Sequence, residues 1–531
     1  MRRLVLVSSG AMALVVGCGL VGSYDYEGYE GPPEGSSSSS SSSNGASSSS
    51  SGTGGTGGMG IPCPPDAGLY TPEVCDNRID DDCIGGDYSV KSVWSARYGD
   101  NFLQKTNGIV ATADKGLAIA GEFAGILAIN DKMESNTGTN PPPRPFAVRF
   151  GQDNNATFIH QDINHLGGFN SVAVQGSNTY VIGTIVDSVI TTNKRIVIRK
   201  LDSTGSHMGM TGWELILGSS PNTAGVSIGT TNAVGAPVFI AGHIDNATSL
   251  PLPCPNPPTL SPGSIYSFVM SLDPDTHDCL WATTLQNTKV AAMDVTSDSV
   301  TITGFYTMLP MFTDAVAPNG TASYVISHHP STYHLQRAIY INPQTGTMSP
   351  GTVSLFALAT DENGRHYASG TFRGKVQVNG QDILSGNNGA DFDGFAVALD
   401  PELKDGVLWA QRFGGMGVQF PTSLAATSTG VFMTGRTPLG MAIESDKDDG
   451  PVCDQTSCNF LLKLNPGSGE TTWATWFGGG ESDTDAIGHI KVTPTTLWLS
   501  SRWSATADFG NGQLLGQGGF DVVLAKFSPL P

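Results

Sequence analysis

Charged residues are scarce in this chain of 531 residues. They make up 14% of it, against 39% hydrophobic residues, which excludes a charge-rich chain that is disordered throughout. The 27 basic residues are outnumbered by 47 acidic residues, and the resulting net charge of −20 repels a phosphate backbone. We therefore expect a chain that mostly folds, has a surface suited to the outside of the cell, and does not bind nucleic acid.

Familiar catalytic motifs are missing as well. No GxSxG, Walker loop or dinucleotide fingerprint occurs in a fitting context. The most closely spaced histidines are His328, His329 and His334, and their spacing does not suit an HExxH helix. Surface or loop roles explain them better than a metal triad. The sequence therefore gives no direct sign of an enzyme.

The first twenty residues carry a targeting signal. Two arginines precede an apolar run that ends at Cys18 and is too short to span a bilayer permanently. The stretch VVGC resembles a bacterial lipobox, which implies cleavage after residue 17 and diacylation of the Cys18 thiol, and two acyl chains anchor firmly. Gly19 replaces the aspartate that retains such lipoproteins at the inner membrane. The resemblance thus implies a lipid anchor at the outer membrane or surface of a Gram-negative cell; the alternative is an ordinary secretory peptide.

A tether and a small acidic segment precede the folded part. Residues 18–62 are rich in Ser and Gly and form a random coil that spans about 35 Å. Residues 63–90 contain three cysteines and closely spaced acids, whose oxygens suit Ca²⁺. The acids of this candidate calcium site are Asp76, Asp80, Asp82 and Asp87.

The acidic segment has two possible interpretations, a metal site and a disulfide-closed loop. Its stretch EVCDNRIDDDC resembles a metal-binding motif of bacterial surface lipoproteins, although Ile84 stands where an acid is expected and Arg78 excludes an EF-hand loop. A Cys75–Cys83 disulfide that closes an acidic knob explains the same residues equally well. Ca²⁺ is the one candidate cofactor that the sequence indicates.

Cysteine counting indicates an oxidising compartment. Without Cys18, seven cysteines remain, so that one must be unpaired. Cys453 and Cys458 are expected to form a disulfide that closes a loop. Cys254 and Cys279 are placed at opposite ends of a strand about 30 Å long, so their pairing requires the intervening loop to fold back along the strand.

Internal repetition begins near residue 91. Short apolar runs that end in Gly recur seven times at intervals of 59–66 residues, from AIAGEF and VIGTIV to FMTGRT, with WLSSRW as a degenerate seventh. Each period contains four strand-length runs and no helical pattern. Seven such units in residues 91–531 predict an all-β fold, a seven-bladed β-propeller of four-stranded antiparallel blades.

The ends of the repeat region complement each other. It begins with one outermost strand, VWSARY, and the three inner strands of that blade do not precede it. It ends with a third strand, FDVVLAKF, and no outermost strand follows. We therefore predict that Val93 to Tyr98 completes the last blade and closes the ring.

A turn such as LDPDTHDCLW joins the third and fourth strands. Asp and Pro set the turn, and the following Trp is expected to fill the gap between neighbouring blades rather than to bind a ligand. The tryptophans assigned to blade packing are Trp94, Trp213, Trp281, Trp409 and Trp473.

Two families share these patterns. The stretches RFGGMGVQFPTSLAATSTGVFMTGRT and WFGGGESDTDAIGHI resemble the seven-bladed β-propeller (SBBP) repeat of bacterial surface and secreted proteins, which is defined by fold and implies no activity. The pairs Asp391 with Asp393 and Asp483 with Asp485 match turn aspartates of that repeat, so backbone capping explains them better than Ca²⁺ or paired carboxylates. The Asp, turn, Trp pattern also resembles quinoprotein dehydrogenase repeats, but those normally have eight blades.

Strand order indicates where a ligand would bind. If the first strand of each blade is innermost, all long loops lie on one face of the ring, and loops carry variable function. The longest are 124–145, 245–265, 307–323, 372–393 and 437–459. We expect a surface lipoprotein that binds a protein or glycan there without catalysis; the alternatives are a propeller enzyme, such as a hydrolase, lyase or quinoprotein, and a calcium-dependent structural or adhesion protein.

Overall fold

The computed structural model describes most of residues 92–528. Outside the description lie residues 1–91, 139–140, 187–192, 209–210, 221–222, 232, 246–253, 255–263, 307–321, 332–334, 345–351, 379–380, 386–391, 404–405, 415–417, 439–443, 446–447, 450–456, 478–487, 504–506, 510, 512, 517–518 and 529–531. The predictions for the lipobox, the tether and the acidic segment therefore concern residues outside the description.

Seven antiparallel sheets, each built on four strands, form a β-propeller, so the predicted fold is confirmed. The first strand of the chain is β1 (Trp94–Tyr98). Blade 1 contains β2 (Gln104–Ala111), β3 (Leu117–Phe123), β6 (Arg144–Phe150) and β7 (Ala156–Gln161). Blade 2 contains β8 (Leu166–Gln175), β9 (Asn178–Val186), β10 (Lys194–Leu201) and β11 (Trp213–Ser220). Blade 3 contains β12 (Ala224–Thr230), β13 (Val238–Asp245), β14 (Ile265–Leu272) and β15 (Cys279–Gln286).

The remaining blades follow the same order. Blade 4 contains β16 (Thr288–Val295), β17 (Val300–Tyr306), β18 (Ala322–His328) and β19 (Leu335–Gln344). Blade 5 contains β20 (Thr352–Thr360), β21 (His366–Arg373), β24 (Asp393–Leu399) and β25 (Val407–Phe413). Blade 6 contains β26 (Phe420–Thr427), β27 (Gly430–Pro438), β30 (Ser457–Leu464) and β31 (Thr471–Phe477). Blade 7 contains β32 (His489–Thr493), β33 (Thr496–Trp503), β36 (Asp521–Phe527) and β1.

Burial explains why the middle strands of the blades show no alternation of polar and apolar residues. Every residue of β18 and of β24 is buried, because the middle of each blade packs between two neighbouring blades. The ring thus has seven apolar layers, one between each pair of blades. Within the described ranges, no helix is long and apolar enough to cross a bilayer.

The two ends of the repeat region meet in blade 7, as predicted. β1 pairs antiparallel with β36, from Trp94 opposite Lys526 to Tyr98 opposite Val522. Val93 adds a backbone bond of 2.7 Å to the carbonyl of Lys526. The fourth strand of this blade therefore comes from the start of the propeller, and closure of the ring depends on it.

Six of the seven blades share a β-bulge between their first and second strands. The bulge lies opposite the glycine that ends each repeated apolar run. A Cβ built at Gly370 would lie 1.9 Å from the carbonyl oxygen of Ser354, and one at Gly121 would lie equally close to that of Lys105. No side chain fits there, and this is the physical reason for the periodic glycine. Blade 7 has Ser501 instead, and its described ladder contains no bulge.

The tryptophan near the start of a fourth strand lies between its own blade and the next one. In three blades it is 7–8% exposed, and its indole N–H donates to a proline carbonyl in the turn of the following blade. The pairs are Trp213 with Pro274 (3.0 Å), Trp281 with Pro330 (2.9 Å) and Trp409 with Pro466 (3.0 Å). Trp473 is also buried, but its indole N–H has no acceptor among the described residues. Trp94 packs edge-to-face on Trp498 across 6.0 Å.

Substitution of Trp409 by phenylalanine should cost about 1 kcal/mol more than the same change at Trp473. Both changes remove similar volume, but only the first removes a hydrogen bond to the next blade. Urea unfolding of the two variants measures the difference. Equal losses of stability would contradict a contribution of the bond to Pro466.

Several long connections form two-stranded hairpins. These are β4 (Gly125–Ile129) with β5 (Lys132–Asn136), β22 (Lys375–Val378) with β23 (Gln381–Ser385), β28 (Glu444–Ser445) with β29 (Asp448–Asp449), and β34 (Ala507–Asp508) with β35 (Gln513–Leu514). Each contacts the preceding blade. β22 pairs with β19 of blade 4, and Phe509 packs on Phe477 of blade 6 at 4.8 Å. The described hairpins thus lean outward over blade edges, which the sequence did not indicate.

A disulfide joins Cys254 to Cys279, with their Cα atoms 4.7 Å apart. Cys279 begins β15 at the turn, whereas Cys254 belongs to the connection between β13 and β14 at the other end of the blade. Cys254 therefore lies beside the turn that precedes β15, and not beside the ends of β13 and β14 that its connection joins. Both cysteines pack against the apolar layer between blades 2 and 3.

Peptide mapping of the unreduced chain should recover Cys254 and Cys279 in one linked pair of peptides. The two thiols are already adjacent in the fold, so that no rearrangement is needed. Alkylation of Cys279 without prior reduction would contradict this pairing.

Candidate functional site

The first strands of the blades surround a central channel, as the sequence predicts. Strands β2, β8, β12, β16, β20, β26 and β32 contact one another around the ring. All connections from second to third strands consequently leave on one face, the long-connection face. The turns from first to second strands and from third to fourth strands lie on the opposite face, the short-turn face.

Polar side chains at the bulges bind the inner strands to one another. In three blades the bulge residue donates to a backbone carbonyl of the next blade's inner strand. The pairs are Asn107 with Phe169 (3.2 Å), Asn170 with Gly225 (2.7 Å) and Thr422 with Gly488 (3.1 Å). These bonds pair backbone groups that the free inner edges would otherwise leave without a partner.

An ion pair crosses the channel at its short-turn end. Lys491 of blade 7 and Asp294 of blade 4 approach to 4.0 Å between Nζ and Oδ1, although two blades lie between theirs on one side of the ring and three on the other. Both residues lie near the ends of β32 and β16 that lead into turns of the short-turn face. Lys491 is 43% exposed, so the attraction is screened, but the two side chains still obstruct this end of the channel.

The opposite end of the channel has a different set of polar groups. Lys105 at the start of β2 lies 3.5 Å from Oε1 of Glu122, and both side chains are nearly buried. Burial and the charge of Lys105 lower the pKa of His489 to about 4, so this imidazole is neutral at neutral pH. An ion pair and a neutral imidazole thus belong to the half of the channel nearer the long-connection face.

His489 is unusual for its position in the blade. It directly follows the point at which the other inner strands bulge, and the equivalent residues there are all small. They are Gly108, Ser171, Ser227, Ala292, Ala357 and Ser423. The inner strands approach closely at this level, since a Cβ built at Gly108 would lie 2.8 Å from the Cα of Ser171. Only blade 7 of the seven places a large side chain here.

Carboxylates in the short turns cap backbone N–H groups. Asp202, Asp273, Asp361 and Asp400 each accept a bond of 2.8–2.9 Å from the N–H two residues ahead. N–H donors from Thr276 and Asp275 lower the pKa of Asp273 in particular. These turn acids have a structural role, which is the role that the sequence favours for turn aspartates.

One of the paired acids singled out from the sequence also has a structural partner. Asp393 at the start of β24 accepts from Nε of Arg412 at 3.0 Å. Arg97 and Asp521 occupy the same positions in blade 7 and form a buried ion pair. Asp391 lies outside the described residues, and so do both members of the pair Asp483 and Asp485.

The remaining predicted site residues are only partly described. His328 ends β18 and is 2% exposed, His329 contacts Ser331 through its ring Nδ1 at 3.1 Å, and His334 lies outside the description. Cys453 is also outside, and Cys458 is described only by its place in β30. In the described part of the chain, no three His, Cys, Asp or Glu side chains are grouped to hold a metal ion.

Sequence reasoning missed the densest group of ionisable side chains. It lies in the seam between blades 1 and 2, and we call it the seam cluster. Its members are His160, Asp162, His165, Arg199, His207 and Glu214. The spacing HQDINH in β7 and its following connection was a local signal for three of them, but the others come from β10, β11 and the turn between these strands.

Arg199 lies at the centre of the seam cluster and is 1% exposed. Its guanidinium donates to Asp162 Oδ2 at 2.8 Å, to Glu214 Oε2 at 2.6 Å and to His160 Nε2 at 3.2 Å. His165 contacts the same Asp162 oxygen at 2.9 Å through Nδ1. The charge of Arg199 and these hydrogen bonds outweigh burial and lower the pKa of Asp162.

Comparisons with known proteins do not assign the chain to a family. No protein-family model matches the chain, and no curated protein matches it. Among solved structures, it is similar to the quinohaemoprotein alcohol dehydrogenase ADHIIG of Pseudomonas putida HK5, at 10% identity over 82% of this chain and 76% of that chain, with a TM-score of 0.41.

Two further solved structures are similar at the same level. BamB of Moraxella catarrhalis is 11% identical over 82% of this chain and 99% of that one, with a TM-score of 0.35. The phage phi92 endosialidase is 9% identical over 84% and 70%, with a TM-score of 0.37. These similarities are too distant to indicate an activity, ligand or partner.

Proposed function

We propose that the chain is a lipoprotein anchored through Cys18 at the outer membrane or surface of a Gram-negative cell, where its propeller binds a protein or glycan without catalysis. The observation that carries the proposal is the common direction of the connections between second and third strands, all of which leave on the long-connection face. Long connections on a rigid scaffold are the usual place of recognition. The Ser/Gly tether would let that face reorient above the membrane.

The two ends of the channel support the same face as the binding side. The short-turn end is obstructed by Lys491 and Asp294, whereas Lys105 and Glu122 lie toward the long-connection end. A ligand that reaches into the channel would therefore enter from the long-connection face.

Binding by the purified full chain to a panel of glycans and to outer-membrane proteins tests this proposal. Shortening the connection at residues 307–321 to a Gly-Ser linker should weaken saturable binding at least tenfold. A change on the opposite face, Thr204→Ala, should leave it unaltered. Equal effects of both changes, or chemical conversion of the bound partner, would contradict a binding role of the long-connection face.

The lipid anchor has a separate test. Wild-type chain should incorporate labelled fatty acid and fractionate with the outer membrane, and Cys18→Ala should do neither. Unchanged labelling of Cys18→Ala would contradict the anchor without affecting the binding test.

A further inference from the structure

The contact with Arg199 defines the protonation state of His160. A guanidinium has N–H donors and no acceptor, and Arg199 Nη1 lies 3.2 Å from Nε2 of His160. The imidazole must therefore accept at Nε2, and its proton resides on Nδ1, which bonds to the backbone of Gly205. A second proton, on Nε2, would bring two N–H groups and two positive charges together at a site where His160 is 8% exposed.

The charge of the seam cluster depends on its imidazoles. Arg199 is the permanent cation, and Asp162 and Glu214 supply two carboxylates, so the cluster has a net charge of about −1 when the imidazoles are neutral. Protonation of His160 adds a positive charge beside Arg199 and brings this net charge to about zero, in a seam where Arg199 and Asp162 are each 1% exposed.

The described groups around His160, in contact with it or with its partners, come from a small number of elements. They are Arg199 from β10, Glu214 from β11, His207 from the intervening turn, Asp162 and His165 from the connection after β7, and the ring of Phe169 from β8. Asp162 favours protonation of His160, whereas burial, Arg199 and His207 oppose it. Burial and the charge of Arg199 together hold the pKa of His160 at about 4.

The cluster joins a strand with one free edge to the next blade. β7 is the outermost strand of blade 1 and pairs only with β6. His160 and Asp162 belong to β7 and its connection, and their partner Arg199 belongs to blade 2. Two residues before His160 in β7, Phe158 packs into the apolar layer between the same two blades. Loss of the polar contacts would thus leave β7 held only by part of its packing and by its bonds to β6, so that these bonds would open more often.

We propose that the seam cluster is a pH-sensitive latch, which holds the outermost strand of blade 1 against blade 2 at neutral pH and releases it when His160 is protonated.

The direction of the pH effect follows from proton linkage. His160 has a lower pKa in the closed seam than the ordinary imidazole value of about 6.5 that it regains on opening. The closed seam is therefore fully favoured above pH 6.5, and its advantage is lost as the pH falls from about 6.5 to about 4. Between pH 7 and pH 5 the population of the open seam should rise about 20-fold.

Hydrogen exchange of the full chain at pH 7 and pH 5 tests the latch. After correction for intrinsic exchange rates, amides of Ala156–Gln161 that bond to β6 should exchange about 20-fold faster at pH 5. Amides of the outermost strand of blade 5, Val407–Phe413, should change less than threefold. The variant His160→Gln, which retains an acceptor for Arg199 but does not titrate, should lose the pH response of β7.

A matched control is His366→Gln in blade 5, because His366 is 1% exposed and its pKa is also lowered by burial. This variant should retain the response of β7. The wild-type measurement decides the question even if His160→Gln fails to fold. Equal responses of β7 and β25 in wild type would overturn the proposal, and so would a full response in His160→Gln.

Discussion

Replacement of Arg97 by methionine is expected to lower the free energy of unfolding by about 3–5 kcal/mol. The change breaks a buried ion pair and removes the guanidinium from the carboxylate of Asp521, where the two side chains are 6% and 0% exposed. Arg97 also donates to the carbonyl of Trp503 at 2.9 Å. The pair joins residues 424 positions apart in sequence, so its loss weakens the same blade that closes the ring.

Arg149→Met is the matched control for Arg97→Met. Arg149 lies 3.6 Å from Asp114, whose side chain is 58% exposed, so that removal of this surface pair should cost less than about 1 kcal/mol. Urea unfolding at pH 7 measures both variants. A loss below 1 kcal/mol for Arg97→Met would show that the buried pair does not stabilise the closure of the ring.

Replacement of Gly370 by alanine is expected to cost about 3 kcal/mol. The added Cβ would lie 1.9 Å from the carbonyl oxygen of Ser354 and 2.8 Å from the Cα of Leu355, and both are backbone atoms that a side-chain rotation cannot move. The bulge in blade 5 would have to shift, and overpacking of this kind typically costs 1–3 kcal/mol or somewhat more.

Gly467→Ala provides the comparison for Gly370→Ala. The nearest atom to a Cβ at Gly467 is Oδ1 of Asn465 at 3.3 Å, in an exposed turn, so the change should alter stability by less than about 0.5 kcal/mol. Thermal unfolding of the two variants separates the bulge from the general effect of losing a glycine. Similar midpoints would show that the bulge does not require glycine.

The periodic signals predicted the architecture because they depend on local geometry. Six recurring glycines each lie opposite a bulge one strand away, and in three blades a proline carbonyl in the turn accepts the indole N–H of the preceding blade, so that the repeated pattern predicts the ring. Closure was also predictable, since the unmatched strand at Trp94 complements the one at the end of the chain.

Contacts that occur once in the ring were not predictable in this way. The seam cluster combines an arginine on β10 with acids and histidines that come from other elements, and no repeat marks it. The ion pair of Lys491 with Asp294 depends on two blades facing each other across the channel. The bond between Cys254 and Cys279 requires a connection to run back along its blade, which strand patterns do not specify.

Disulfide trapping between the two ends of the propeller tests the closed ring most directly. Ser95 and Ala525 are register partners of β1 and β36, so the variant Ser95→Cys with Ala525→Cys should form a bond that peptide mapping finds under mild oxidation. The control pair Ser95→Cys with Ala410→Cys, which places the second thiol on blade 5, should not. Trapping in the control, or none between positions 95 and 525, would contradict a seven-bladed ring closed by its first strand.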